Sequence, residues 1–351
     1  MKPLTRKAFS SLIILSMVCL CLTMNGQKQD TIKKSGTTVG KTSVGTPGNS
    51  KKGEVKKTGP RTVQFIPAKK DTGKAPADFK QYTKTEIGGV PTQAKKITDP
   101  NEQKAEVFFV SGSKKGKEGD FRGAIDDFTK SLSYFKNGTT YMKRGFAYIQ
   151  IENYPLALQD LNEALKLMPE SNKVYFSRGV CYYEMKDLKN AEADLKRFLE
   201  KDHSNAMAFN YMAGVKFLKQ DYQAALDNYN EVIKLDPKNK DAYTNRGMMR
   251  HYLHDYKGAM EDYDKVIKMD PNDATAYNNR GAAKFAMADY KAALVDFNMA
   301  LKLVEDYSDA YDMRGKTKYK LGDTKGACQD WQRASELGLT SSRDLIIKFC
   351  K

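Results

Sequence analysis

The sequence predicts an all-α protein: an α-solenoid of about seven helix hairpins, closed by a capping helix and preceded by a leader and a basic segment. Three observations carry that prediction. First, Gly145, Gly179, Gly247, Gly281 and Gly315 lie on a grid of about 34 residues, with Ala213 at the remaining node. Second, Ala157, Ala191, Ala225, Ala259, Ala293 and Ala327 follow the nodes at one fixed offset. Leu161, Leu195, Tyr229, Tyr263, Phe297 and Trp331 come one helical turn later. Third, the charge is uneven. The 351 residues carry 59 Lys+Arg and 43 Asp+Glu, a net +16, yet residues 27–100 alone hold 16 basic against 6 acidic residues. The body that follows is nearly neutral, which disfavours a globular nucleic-acid-binding domain.

Residues 1–26 open with Lys2, Arg6 and Lys7, followed by an apolar run from Leu12 to Met24 and then Asn25-Gly26. The run is too short to span a bilayer, and this order of regions fits a secretory signal peptide cut near Gly26–Gln27. Export to the periplasm or outside the cell is therefore expected. Cys19 and Cys21 follow Val18 and Leu20 rather than small residues, so lipid attachment is not expected.

Residues 27–100 are rich in Lys, Thr, Gly and Pro, and Phe65, Phe79 and Tyr82 are their aromatic residues. Low hydrophobicity with like-charge repulsion cannot offset the entropy of ordering, so a disordered linker is expected. Only Thr62–Pro67 alternates as a strand would. The linker reads as a spacer, or as a tether to an anionic polymer or membrane surface.

Residues 105–340 hold the repeats, with an upstream copy at Gly112, Ala124 and Phe128. Bulky Tyr141, Tyr175, Phe209, Tyr243, Tyr277 and Tyr311 sit one turn before the nodes. Small residues at the node and at the alanine let two helices approach closely, and the aromatics fill the layer between hairpins. Gly119-Asp120, Gln220-Asp221, His254-Asp255 and Ala288-Asp289 mark turns between helices. Pro169, Pro237 and Pro271 end second helices, because proline cannot continue one. This period with these residues resembles the tetratricopeptide repeat, two antiparallel helices per unit. The final unit, Gly326 to Gly338 with a cysteine near the chain end, also resembles exported repeat proteins common in Bacteroidetes.

Numbering the node as position 8, position 7 is Arg144, Arg178, Arg246, Arg280 and Arg314. Position 23 on the second helix is Asp127, Asp160, Asp194, Asp262, Asp296 and Asp330. The fourth unit loses both, having Met212 and Asn228. That joint loss reads as Arg–Asp pairing within or between hairpins rather than a ligand-binding arginine row.

The resemblance implies an inner wall built from first helices at positions 2, 5, 9 and 12. There the N-terminal units are apolar and the C-terminal ones polar. Met142, Phe146, Ile149, Phe176, Val180, Tyr183 and Phe217 are the candidate partner-binding residues, suited to an extended peptide or amphipathic helix. The alternative is that residues 85–104 cover this wall. No unit pairs Lys at position 5 with Asn at position 9, which argues against clamping of chaperone tails.

Cys181 reads as a buried thiol. Cys328 and Cys350, the latter ending a capping helix within 341–351, read either as a disulfide or as two buried thiols. His251 and His254 lack further ligands for a metal, and no nucleophile elbow, phosphate loop or zinc-protease signature occurs. The expected function is non-catalytic and cofactor-free: a scaffold for cell-envelope or secretion proteins, or a structural component of such a complex.

Overall fold

A computed structural model describes residues 98–350; the leader, most of the basic segment with Thr62–Pro67, and Lys351 lie outside the described residues. Fifteen α-helices and no strand occur among the described residues. The seven hairpins are α1 (Pro100–Glu118) with α2 (Phe121–Tyr134), α3 (Gly138–Gln150) with α4 (Tyr154–Leu167), and α5 (Asn172–Glu184) with α6 (Leu188–Lys201). They continue with α7 (Ala206–Leu218) and α8 (Tyr222–Leu235), α9 (Lys240–Tyr252) and α10 (Tyr256–Met269), and α11 (Ala274–Ala286) and α12 (Tyr290–Leu303). The last are α13 (Ser308–Lys320) with α14 (Thr324–Glu336), and α15 (Ser341–Phe349) follows as the cap. The first helix starts at Pro100, ahead of residue 105, with Asp99 accepting from the Asn101 amide as N-cap.

Each hairpin turns the same way. One residue adopts a left-handed conformation, and the next is the Asp or Asn that caps the second helix. Gly119 and Gly322 supply this conformation in the first and last hairpins, whereas Glu152, Lys186, Gln220, His254 and Ala288 adopt it without being glycine. Asp120, Asn153, Asp187, Asp221, Asp255, Asp289 and Asp323 then accept an amide hydrogen bond from the first turn of the following helix. Each such cap contributes about 1 kcal/mol, which helps hold a side chain at positive φ. The helices before Pro169, Pro237 and Pro271 end at Leu167, Leu235 and Met269.

Close approach explains the node glycines. A Cβ on Gly247 would lie 2.8 Å from the Tyr263 ring, and one on Gly315 would lie 2.6 Å from the Trp331 indole. The alanines at position 20 are fully buried beneath these contacts.

The position-7 arginines form rungs. Arg144, Arg178, Arg246, Arg280 and Arg314 each make two hydrogen bonds of 2.6–3.0 Å to the aspartate of their own hairpin. The remaining guanidinium nitrogen donates to the hairpin before: Thr129, Asn162, Asn230, Asp264 and Asn298 accept at 2.6–2.9 Å. One planar side chain therefore ties two helices of one hairpin to the second helix of its neighbour. Its face lies over the position-4 tyrosine one turn away, at Tyr141, Tyr175, Tyr243, Tyr277 and Tyr311. In the first hairpin, Ser111 donates to Asp127 and Lys115 pairs with it at 2.6 Å. Lys115 stands at position 11, as do Arg250, Lys284 and Lys318, which reach the aspartates of their own hairpins.

The cap closes the other end. Cys350 is disulfide-bonded to Cys328, Phe349 packs 4.5 Å from the Tyr319 ring, and Ser342 donates to buried Asp312. Cys181 is a buried free thiol whose pKa burial pushes up to about 11.

Candidate functional site: the inner wall

The first helices bring positions 5, 9 and 12 into one row, and the row changes character along the molecule. Met142 and Phe146 on α3 are half-buried, as are Phe109 and Ser113 on α1. Beyond them the wall closes on itself. Ile149, Phe176, Val180 and Tyr183 are buried members of the core. They are structural residues in this conformation, and a partner reaches them only if the wall moves. Phe217 is half-buried, with Tyr222 and Tyr252 at centroid distances of 6.1 and 6.0 Å.

The residue that closes the wall is Tyr211 at position 6. Its ring meets Tyr183 edge-on at 5.4 Å and Phe176 at 6.2 Å. Gly214 permits this, because a Cβ there would lie 2.8 Å from the Tyr183 hydroxyl. Burial raises the pKa of both phenols, so they remain neutral. Position 6 was not among the inner positions read from the sequence. An aromatic in a row that elsewhere holds Asn245 and Asn279 was the available signal.

The C-terminal inner row is polar, as its sequence suggests, but its position-5 side chains and His251 are not presented to solvent, whereas Lys316 is half-buried and Tyr319 exposed. Thr244, Asn278 and Asp312 at position 5 and His251 at position 12 are all buried. Asp312 is held by Lys316 and Ser342. His251 packs edge-on against Tyr256 with neither ring nitrogen hydrogen-bonded. Burial first, and the His254 charge second, lower its pKa to about 4.

At the N-terminal end stands Lys143, also at position 6. Its ammonium donates to Ser113 Oγ at 3.1 Å and lies 4.7 Å from the Phe109 ring centroid. Burial, then the neighbouring Lys117 charge, lowers its pKa, opposed only by Glu106.

No group of three or more His, Cys, Asp or Glu among the described residues is placed to hold a metal ion. No helix among them is long and apolar enough to cross a membrane.

Comparison with known proteins agrees with the repeat geometry. Residues 142–206 match the family profile described as tetratricopeptide repeat, and 214–251 and 249–288 match that described as TPR repeat. The repeats matched there are tetratricopeptide repeats. A tetratricopeptide-repeat protein from Cytophaga hutchinsonii, represented by its C-terminal part, superposes with a TM-score of 0.56 at 17% identity, covering 67% of this chain and 98% of that one. One from Parabacteroides merdae superposes with a TM-score of 0.53 at 17% identity, covering 71% and 100%. PilF of Pseudomonas aeruginosa gives 0.50 at 17% identity, covering 60% and 97%. These likenesses are of fold. No curated protein matches the sequence.

Proposed function

We propose that this tetratricopeptide-repeat chain is a non-catalytic scaffold of the cell envelope, binding a peptide or protein segment on the inner face of its first hairpins. One observation carries the reading: Phe109, Met142 and Phe146 stay half-exposed, whereas the apolar side chains at the same two positions in later hairpins, Phe176, Val180, Met248 and Ala282, are buried. Apolar side chains left accessible beside a well-packed core mark an interaction surface. The leader-like residues 1–26 support an exported location. The basic residues between leader and solenoid suit a spacer, or a tether to an anionic surface, that leaves this face free.

A photo-crosslinking amino acid at position 142, in cells, tests the reading against the same probe at exposed Gln159 on α4. A partner crosslinked from 142 only, and lost in Phe146→Glu with helicity retained, is the expected result. Identical products from both positions would sink the inner-face assignment. Terminal sequencing of the mature protein tests export, with Gln27 expected as its first residue.

A further inference from the structure

Among the described residues, buried and half-buried cations mostly face a carboxylate. The five rung arginines do, as do Lys216 with Glu192, Lys240 with Asp270 and Asp273, and Lys284 and Lys318 with their rung aspartates. Lys143 differs. Among the described residues no carboxylate lies within ion-pair distance of its ammonium, which rests on a serine hydroxyl and an aromatic face. Its surroundings on α1 are Glu106, Phe109, Ser113 and Lys117, one stripe at helical spacing. Lys117 adds charge of the same sign, and Glu106 is exposed. A partly desolvated ammonium without a counter-charge is costly, and an incoming carboxylate would relieve that cost.

The positive charge also sits beside apolar surface. Phe146 is one turn from Lys143 on α3 and half-buried, while Val110 on α1 is 56% exposed. We propose that this face selects an acidic, partly apolar peptide: an internal Asp or Glu side chain pairs with Lys143 while an adjacent apolar side chain packs on Phe109 and Phe146. The proposal rests on the inner-face reading above and names the chemistry of its partner. Charge complementarity chooses the acidic side chain, and the flanking rings choose a peptide over a bare anion.

The test is selection of a random dodecapeptide phage library on the full chain, followed by fluorescence polarisation with a selected, labelled peptide. Selected sequences should be enriched in Asp or Glu next to Leu, Phe or Met. Replacing the peptide's acid by its amide should weaken binding about tenfold, and Lys143→Met should do the same. The two losses should not add, since either change removes the same pair. Peptides selected without acidic enrichment and bound equally by Lys143→Met would overturn the acidic assignment while leaving the groove. Peptides unaffected by Phe146→Glu, or no selected peptide at all, would overturn both. The amide substitution on the peptide reads the pair in the native chain, whatever the fold of the variant.

Discussion

Two faces of the hairpins treat some of their buried polar groups in opposite ways. On the rung face, Asp160, Asp194, Asp262, Asp296 and Asp330 are almost fully buried, and each accepts two hydrogen bonds from one guanidinium. On the inner face, His251 and the Asn278 carbonyl are equally buried and have no partner. Burial alone therefore does not decide what a polar side chain contributes here; its answering group does. The fourth hairpin shows what replaces a rung. Met212 joins the apolar core, Asn228 turns to its own helix at Ala224, and Lys216 and Lys219 cross to Glu192 of the third hairpin. Lys196 of the third hairpin occupies the position where the other joints offer Asn, Asp or Thr, so an arginine at 212 would meet a like charge. Registry at that joint is carried instead by Tyr183, Tyr211 and Phe176.

The largest expected effect comes from breaking a rung. Asp262→Ala strips Arg246 and Arg250 of their common partner inside the fifth hairpin. Burial raises the Asp262 pKa against the pull of Arg246 and Arg250. Removing one member of such a pair costs about 3–5 kcal/mol. Asn228→Ala, at the equivalent place in the rungless hairpin, should cost less than about 1 kcal/mol. Urea denaturation followed by circular dichroism compares them, and equal losses would show that the rungs are not what registers the hairpins.

How far the sequence reveals the molecule follows the same division. The hairpins were legible because every unit buries the same small residues against its neighbours, so the grid repeats along the chain. The rungs were legible because Met212 and Asn228 change together. The closed wall was not, because it depends on Tyr211 crossing a joint to Tyr183 over Gly214, a contact between units with no repeat to announce it. Lys143 was equally hidden. Its distinction is a missing carboxylate, which is a property of the space around it and not of the residue. The cysteine pair shows the same limit, since the separation of 328 and 350 in the chain does not say whether the cap brings them together; the disulfide is visible only once α15 is in place.

An intermediate effect is expected at His251, and it depends on pH. Its folded-state pKa, about 4, lies below the ordinary value of 6.5, because burial and then His254 disfavour the charged ring. Between those values the unfolded chain binds more protons than the folded one, so stability must fall as pH drops from about 6.5 towards 4. Above pH 7 both states are neutral at this residue and the effect vanishes. The loss approaches about 3 kcal/mol at the acid end. His251→Phe should flatten this limb and change little at pH 8. An unchanged acid limb in the variant would place the pH dependence on the carboxylates of the rungs.

The smallest effect should come from Asn278→Ala. Its side-chain amide is 1% exposed, makes one long hydrogen bond of 3.4 Å to Asn279, and leaves its carbonyl oxygen unanswered. Truncation removes contacts and opens a small space, which costs stability, but it also removes a carbonyl that lost its water on folding, which restores some. These contributions oppose one another and are each about 1–2 kcal/mol, so the variant should stay within about 0.5 kcal/mol of the parent in urea denaturation. The same truncation logic at Asp262 gives several kcal/mol because there both hydrogen bonds and the counter-charges are lost together. A cost above about 1.5 kcal/mol at Asn278 would mean that an ordered water answers the carbonyl. Asn278 would then be as fully satisfied as the rungs, and His251 alone would carry the contrast between the two faces.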